Sequence, residues 1–348
     1  MIIRALRLTG AIDDALLLSA AQEVALALEL PARPGFRCEP VADDAHCLKV
    51  LAAEPASQVL ALRPAPDQVV LAVVADPLLL DLRSVYLLLG AVMQAYFGRF
   101  RPDEYPSYRD AAARIDQPVP PSRTAWWARR VESWPQPLRA ANGGDAVVQV
   151  PFDRWARLCA IGDHLGNDSP IAVVALMAWW LRMRQGRPSP AVFLAELDLR
   201  EYYGLGPVVG PLTDRIAFQV DATAQMSFRE LVRRCHAGLL DGVVRYMPFA
   251  AVRGLPGWKG CDVAVHYCRT PPLSSATRGE EQLARLGLSV ELFREAELAR
   301  LGRGHTGDAG LAIDVAESGH GIELIGLPLD ASAIDKVIAD PDIPLTRL

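Results

Sequence analysis

The sequence predicts a two-lobed α/β protein, because apolar runs typical of buried strands alternate with stretches of helical period. The best-defined run, residues 69–75, is continuous and rich in valine, which is typical of a strand buried on both faces. After Asp81 the apolar residues recur at helical spacing, so a strand, a turn and a helix are expected over residues 69–97. With 348 residues, 51% of them hydrophobic, the chain is long enough for two lobes.

Composition and motifs exclude several classes of protein. The chain has 36 basic and 41 acidic residues, a net charge of −5 and no block of lysine or arginine, so nucleic acid is not expected as a partner. The motifs GxxxxGK[ST], GxSxG and HExxH are absent. We therefore expect no nucleotide, serine-hydrolase or zinc-protease site, and no cofactor.

The cysteines and the apolar segments indicate a cytoplasmic protein. The six cysteines are scattered, with no CxxC pair and no histidine at metal-ligand spacing, which predicts free thiols in a reducing compartment and no metal site. No signal-peptide pattern is present. The longest apolar helix candidate, residues 171–181, is too short to span a bilayer and is followed by Arg182 and Arg184, so no membrane partner is expected.

The first half of the chain contains four predicted strands and two predicted helices. Asp13 or Asp14 is suited to cap the first helix, which runs to Leu28, and Ser84 is suited to cap the second, which runs to Phe97. The predicted strands are residues 2–8, 48–52, 59–63 and 69–75. The lobe boundary is expected near Gly144, in the Asn-Gly-Gly turn at residues 142–144.

The second half alternates strands and helices more clearly. Ser169 and Pro170 are suited to the N-cap and first position of a helix that ends near Gly186, and residues 227–230 form a capping box for another. The predicted strands are residues 147–150, 191–197, 216–220, 263–267, 311–315 and 321–326, and the predicted helices are residues 152–165, 169–184, 227–240 and a short one after Asp330.

The turn after the strand at residues 69–75 is the first candidate for chemistry, because Asp76 and Asp81 lie at the end of a buried strand. The simpler interpretation is a tight strand-to-helix turn with two solvated acids. From spacing alone, that simpler interpretation is favoured.

The same turn carries a family resemblance. Residues 76–84 read DPLLLDLRS and fit the frame of the HHxxxDG motif of nonribosomal peptide synthetase condensation domains, retaining its aspartate as Asp81 and the following serine as Ser84. Both histidines are replaced, by Asp76 and Pro77. Further landmarks of the family follow the same order, at residues 28–36 (RHExLRTxF), 108–112 (YxDFAVW), 209–214 (IGxFVN), 227–230 (sFxeLl) and 247–249 (YPFE). The chain resembles a degenerate, stand-alone member of that family.

The resemblance implies a fold and a set of site residues. The family fold is two chloramphenicol-acetyltransferase-like lobes in a V, each a mixed sheet covered by helices, here residues 1–144 and 145–348. In the family, a tunnel between the lobes receives carrier-protein arms, and the second motif histidine positions or deprotonates the amine that attacks the donor thioester. Pro77 stands at that position and has no titratable group.

Other residues are therefore candidates for the chemistry. Asp76, Asp214 and His266 are the catalytic candidates, although His266 is also explained as an ordinary core or edge histidine. The resemblance places Pro77 and Ser84 in contact with the substrate. It also implies a structural ion pair between Asp81 and Arg33, the retained arginine of the residue 28–36 landmark.

Two functions and one unrelated alternative stay open. The favoured hypothesis is an enzyme of natural-product assembly that uses the tunnel for cyclisation or acyl transfer on a small hydrophobic substrate or a carrier-bound acyl or peptidyl intermediate. The second is a pseudoenzyme that docks a carrier protein or a tailoring enzyme. The third is an α/β protein unrelated to the family.

Overall fold

The computed structural model describes residues 1–28, 30, 35–137, 146–162, 171–183, 186, 190–268, 287–301, 308–318 and 321–347. In chain order the elements are β1 Ile2–Thr9, α1 Asp14–Ala27, β2 Gly35–Pro40, α2 Asp44–Ala53, β3 Gln58–Ala65, β4 Gln68–Ala75, α3 Leu82–Tyr96, α4 Tyr108–Ile115, α5 Pro121–Ser133, β5 Val147–Pro151, α6 Phe152–Ala160, α7 Ile171–Met183, β6 Ala191–Asp198, α8 Leu199–Tyr203, β7 Thr213–Val220, α9 Phe228–Val244, α10 Phe249–Arg253, β8 Cys261–Cys268, β9 Ser289–Leu292, α11 Glu295–Leu301, β10 Ala309–Ser318, β11 Gly321–Ile325 and α12 Ala331–Ala339.

The chain divides into two compact units that are interleaved in sequence. The first unit consists of Met1–Gln117, Asp198–Thr213 and Thr270–Gly304, and the second of Pro118–Leu197, Asp214–Arg269 and His305–Leu348. The boundary expected near Gly144 lies outside the described residues, so the division at that residue stays a prediction.

The first unit is built on a five-stranded sheet with the order β2-β3-β4-β1-β9. The β2–β3 pair is parallel, whereas β3–β4, β4–β1 and β1–β9 are antiparallel. Leu71 and Val73 of β4 pack into a core cluster shared with α1 and α3, while Ala72 and Val74 pack on the opposite face with α2 and α11. The valine-rich run is therefore buried on both faces, as predicted.

The second unit is built on a six-stranded sheet with the order β5-β11-β10-β8-β6-β7. β6, β8 and β10 are parallel neighbours, and β10–β11 and β11–β5 are antiparallel. One face carries a core of Trp127, Trp134, Leu194, Ala264 and other residues of α5, α10 and the sheet. α7 is buried on nearly all sides, which explains why its sequence is continuously apolar.

Most predicted elements are present, with local differences. Of the two aspartates predicted as caps of α1, Asp13 is the N-cap, and Ser227 caps α9 as predicted. Asp330 caps α12, the predicted short helix, through a side-chain hydrogen bond. The N-cap and first position proposed for Ser169 and Pro170 lie outside the described residues.

The strand predicted at residues 48–52 is wrong, because that segment belongs to α2. Asp43 caps this helix by accepting a hydrogen bond from the His46 backbone N–H at 2.8 Å. Cys47 and Leu51, one helical turn apart, are its buried residues. The apolar run was short enough to fit either period, and the packing of Cys47 and Leu51 against the sheet selects the helix.

Ser84, the residue predicted as the N-cap of α3, is also wrong, because the helix begins about one turn earlier. Asp81 is the N-cap, and its carboxylate accepts the hydrogen bond of the Ser84 backbone N–H at 2.8 Å. Ser84 lies at the third position of the helix, which frees its hydroxyl for contacts with another segment.

Candidate functional site

The turn between β4 and α3 is closed by its own backbone and by Asp76. The Asp76 carboxylate accepts a hydrogen bond from the Leu78 N–H at 2.9 Å. Its carbonyl oxygen accepts hydrogen bonds from the Leu79 and Leu80 N–H groups at 2.9 and 3.0 Å. Pro77, which has no backbone N–H and therefore donates no hydrogen bond, is exposed in this turn. The geometry is that of the tight strand-to-helix turn, and a catalytic role for Asp76 stays a prediction.

Asp81 is the centre of a buried polar network. Its two carboxylate oxygens accept hydrogen bonds from Arg200 at 2.8 and 3.0 Å, a bidentate ion pair between side chains that are 5% and 2% exposed. The same carboxylate also accepts from the Leu212 N–H at 2.7 Å and from the Thr213 hydroxyl at 3.1 Å. All of its partners belong to the first unit.

Arg200 distributes its remaining donors over the loop that follows α8. Its Nε donates to the Val208 carbonyl at 2.7 Å, and Nη2 donates to the Gly210 carbonyl at 2.9 Å. Nη1 also reaches Asp198, the N-cap of α8, at 3.2 Å. These acceptors replace the hydrogen bonds to water that the guanidinium loses when it is buried.

Ser84 completes the network. Its hydroxyl donates to the Gly210 carbonyl at 2.7 Å and accepts from the Gly210 N–H at 2.8 Å and from Arg200 at 2.7 Å. The residue is fully buried. One donor and two acceptor positions are the whole capacity of a hydroxyl, so this placement joins α3 to the loop at Gly210. A role for Ser84 in substrate binding stays a prediction.

The partner of Asp81 is the residue that sequence reasoning missed. Arg33, the expected partner, lies outside the described residues. Arg200 follows Asp198, which is both the last residue of β6 and the N-cap of α8. An arginine directly after an apolar strand is the signal that could have identified it, because an arginine is rarely buried without a carboxylate partner.

A cavity of about 410 Å³ opens beside this network within the first unit. Its wall consists of the end of α1, the turn after β4, the segment that begins α4 and the loop at Gly210. The lining residues are Ala27, Leu28, Leu78, Leu79, Tyr105, Pro106, Ser107, Tyr108, Arg109, Val209, Gly210 and Pro211. The volume lies in the range of small-molecule sites, and the wall is mixed: leucine and tyrosine side chains offer apolar contacts, while Ser107 and Arg109 add polar groups.

Asp214, in the second unit, has a mainly structural environment. Its Oδ2 accepts hydrogen bonds from the Tyr246 hydroxyl at 2.6 Å and from the Phe249 N–H at 3.0 Å. Its Oδ1 accepts from the Arg215 N–H at 2.8 Å. The carboxylate thereby ties the start of β7 to the start of α10, and its catalytic role stays a prediction.

His266 lies near two acids on neighbouring strands of the second sheet. Its Nδ1 is 3.1 Å from Glu196 Oε1. Burial lowers the pKa of this imidazole, and so does the charge of Arg215. The hydrogen bond and charge of Glu196 and the charge of Asp314 raise the pKa, and together they outweigh the first two effects. The net effect is a raised pKa, so His266 carries more positive charge near neutral pH than a free histidine does.

Other ionisable groups are poorer candidates for chemistry. Burial raises the pKa of the Cys47 thiol to about 11 and holds the pKa of Cys261 well above its usual range, so neither is a thiolate at neutral pH. Among the described residues, no group of three or more histidine, cysteine or acidic side chains is placed to hold a metal ion. No helix in that part of the chain is long and apolar enough to cross a membrane.

Comparison with solved structures identifies the family. The tallysomycin biosynthesis protein TlmII is 32% identical to this chain, with a TM-score of 0.79, and the match covers 99% of this chain and 94% of TlmII. The chain belongs to the condensation-domain family. No protein-family model and no curated protein matches its sequence.

Two more distant members show the fold. The first condensation domain of the CDA synthetase has a TM-score of 0.75 at 15% identity, over 100% of this chain and 93% of that domain. The X-domain of teicoplanin biosynthesis, solved in complex with OxyB, has a TM-score of 0.64 at 18% identity, over 100% of this chain and 90% of that one. The predicted chloramphenicol-acetyltransferase-like fold and the predicted family are confirmed.

The condensation-family motif is retained as a scaffold and changed at its histidines. The positions of the two histidines are occupied by Asp76 and Pro77, whereas the aspartate is kept as Asp81. In the structure Asp81 organises a network of buried hydrogen bonds, and the residues before it form a turn. This chain therefore keeps the motif aspartate, which supports the fold, and lacks both motif histidines.

Proposed function

We propose that this condensation-family protein works in natural-product biosynthesis, where it binds a hydrophobic acyl chain and carries out acyl transfer or cyclisation without the motif histidines. The observation that carries the proposal is the cavity beside the turn at Asp76 and Pro77, lined by leucine and tyrosine side chains. The role of TlmII in tallysomycin biosynthesis supports the pathway class. A carrier-bound acyl or peptidyl intermediate is the natural form of such a substrate in this family.

An apolar ligand fits the cavity better than a charged amine does. Leu28, Leu78 and Leu79 line the cavity, and Pro77 replaces a titratable residue next to them. An ammonium group would lose its hydration there without gaining a carboxylate partner among the described residues of the cavity wall. A hydrocarbon chain would instead gain about 0.8 kcal/mol for each methylene group that it buries.

Binding of an acyl thioester tests this proposal. The octanoyl thioester of N-acetylcysteamine is titrated into the wild type and into Leu79→Trp, which places an indole in the cavity. We expect the variant to lose at least about tenfold in affinity, since a difference of 1.4 kcal/mol already gives this factor.

The matched control for that experiment is Leu16→Trp. Leu16 is also an apolar residue of the first unit, but it lies eleven residues before Ala27 on α1, about 16 Å away along the helix. The control should bind the thioester like the wild type. Equal binding by the Leu79→Trp variant and the wild type would overturn the assignment of the cavity.

The second candidate function is a docking platform for a carrier protein or a tailoring enzyme. This function is favoured by the two residues that stand in place of the motif histidines. Asp76 accepts a hydrogen bond within its own turn, and Pro77 cannot act as a base. The X-domain that was solved with OxyB is similar in fold. Pathway output and partner pull-down, measured together for Leu79→Trp, distinguish the two functions: a platform would keep both, whereas the enzyme would lose output and keep its partner.

A further inference from the structure

The carboxyl ends of three parallel strands in the second unit carry a row of ionisable side chains. β6, β8 and β10 are neighbours and run parallel. Asp314 of β10 is paired in register with His266 of β8, and Glu196 of β6 follows directly after the registered pair Ala195 and Val265. Since side chains alternate between faces, Glu196, His266 and Asp314 lie side by side on one face.

The row follows an apolar part of this face. The preceding residues on the same face, Leu194 and Ala264, belong to a buried apolar cluster. The change from apolar to ionisable side chains comes two residues before the ends of β6 and β8 and at the sixth of the ten residues of β10. The region beyond the carboxyl ends of parallel strands is where open α/β sheets bind their ligands.

The His266 and Glu196 side chains are close and partly accessible, whereas Asp314, which is paired in register with His266, is buried. His266 Nδ1 and Glu196 Oε1 are 3.1 Å apart, and the two side chains are 17% and 31% exposed. Asp314 is 9% exposed. Among the described residues, the hydrogen bond of the imidazole is made through Nδ1, so Nε2 is the nitrogen that could exchange a proton with a ligand.

We propose that His266, Glu196 and Asp314 form an acid–base site at the carboxyl ends of β6, β8 and β10 that acts on the hydroxyl or amine of an acyl acceptor. This inference rests on the acyl-transfer part of the proposed function. His266 is the catalytic residue, and Glu196 and Asp314 are positioning residues, since Glu196 holds Nδ1 and thereby directs Nε2 to the acceptor.

The proposed step is balanced in atoms and charge. Nε2 of the neutral imidazole takes the proton of the acceptor O–H or N–H while the acceptor atom forms its bond to the thioester carbonyl carbon. The carbon–sulfur bond then breaks, and the departing thiolate takes the proton from the imidazolium. The products are the ester or amide, the free thiol and the neutral imidazole.

The charged groups that act on His266 make its titration a direct test. Glu196 and Asp314 raise the pKa of the imidazole, and Arg215 and burial lower it. In NMR spectra of protein labelled in its histidines, the His266 resonance, assigned by its loss in His266→Asn, should titrate above the usual value of about 6.5. Glu196→Gln should shift this titration to lower pH.

The matched control is Glu201→Gln, which changes an exposed carboxylate of the first unit that pairs with Arg83. It should leave the His266 titration unchanged. A His266 resonance that does not titrate, or one with the same midpoint in wild type and Glu196→Gln, would overturn the acid–base site.

The functional arm uses the octanoyl thioester of N-acetylcysteamine with a primary amine as acceptor. We expect His266→Asn to lower the rate by about 10²-fold or more while the thioester still binds, and Glu196→Gln to move the pH–rate profile to lower pH. The acid–base site is contradicted if the wild type binds the thioester without turnover, or if His266→Asn retains full turnover. Neither result contradicts the proposed thioester cavity. Loss of thioester binding altogether contradicts the cavity, while the NMR titration still decides on the site.

Discussion

At the scale of single residues, one arginine determines how the motif aspartate is held. Arg200 contacts Asp81, Ser84 and the carbonyl groups of Val208 and Gly210. Buried ion pairs are weak contributors to stability as pairs, because both charges lose their hydration. Removing one partner is costly, since it leaves the other charge buried and uncompensated.

Arg200→Ala should therefore destabilise the protein by about 3–5 kcal/mol. Asp81 would keep its backbone donors but lose the positive charge that balances it. The measurement is the free energy of unfolding in urea. Arg83→Ala is the control, because Arg83 forms a partly exposed ion pair with Asp198 and should cost no more than about 1 kcal/mol. Equal unfolding midpoints for the two variants would refute the role of Arg200.

The stability contribution of His266 should depend on pH in a defined direction. Its pKa is raised in the folded protein, so the group binds its proton more tightly there than in the unfolded chain. The resulting stability is fully present below the unfolded pKa of about 6.5 and is lost as pH rises through the higher folded pKa.

The melting temperature of the wild type should therefore exceed that of His266→Gln by more at about pH 6 than at about pH 9. His236→Gln is the control, because burial lowers the pKa of His236 and its contribution changes with pH in the opposite sense. A His266→Gln difference that grows with pH would contradict the raised pKa.

At the scale of elements, the contact between α4 and the loop after α8 depends on a glycine. A Cβ atom built at Gly210 would lie 2.2 Å from the Tyr108 ring, which no side chain tolerates without movement. The ring packs against the bare backbone that also contacts Ser84. This close approach positions the start of α4 at the wall of the cavity.

Gly210→Ala should cost about 1–3 kcal/mol, because the added methyl group displaces the Tyr108 ring. Tyr108→Ala in the same protein should recover part of that loss, since it removes the atoms that clash. The measurement is a double-mutant cycle of unfolding free energies. Strictly additive effects would show that the two residues do not compete for space.

At the scale of the whole molecule, the two units share the chain in alternating segments. The first unit takes Asp198–Thr213 and Thr270–Gly304 from the second half of the sequence. The first of these segments supplies Arg200, and the second supplies β9, which covers the edge of β1. The first unit is therefore incomplete if the chain is cut near its middle.

A fragment of residues 1–144 should fail to show a cooperative thermal transition in circular dichroism. It would contain Asp81 without Arg200 and β1 with an open edge. Co-expression with residues 145–348 is the control and should restore the transition. A fragment that melts like the intact protein would mean that the N-terminal residues need neither segment.

The sequence by itself determined the features that depend on neighbours along the chain. The valine run at residues 69–75 required a buried strand, and Asp13, Ser227 and Asp330 each cap a helix that begins at the next residue. Landmarks in a conserved order were sufficient to identify the condensation-family fold, which the similarity to TlmII bears out. These signals are local or sequential, so they can be identified without any knowledge of contacts in space.

Only the tertiary structure decided which polar groups meet. Asp81 and Arg200 are 119 residues apart, and no spacing rule connects them. His266 lies beside Glu196 and Asp314 because three strands from distant parts of the chain align in parallel register. The short apolar segment in α2 fitted both periods, and packing of Cys47 and Leu51 into the sheet selected the helix. The physical reason is the same in each case: burial and charge pairing act through space between segments that are remote in sequence.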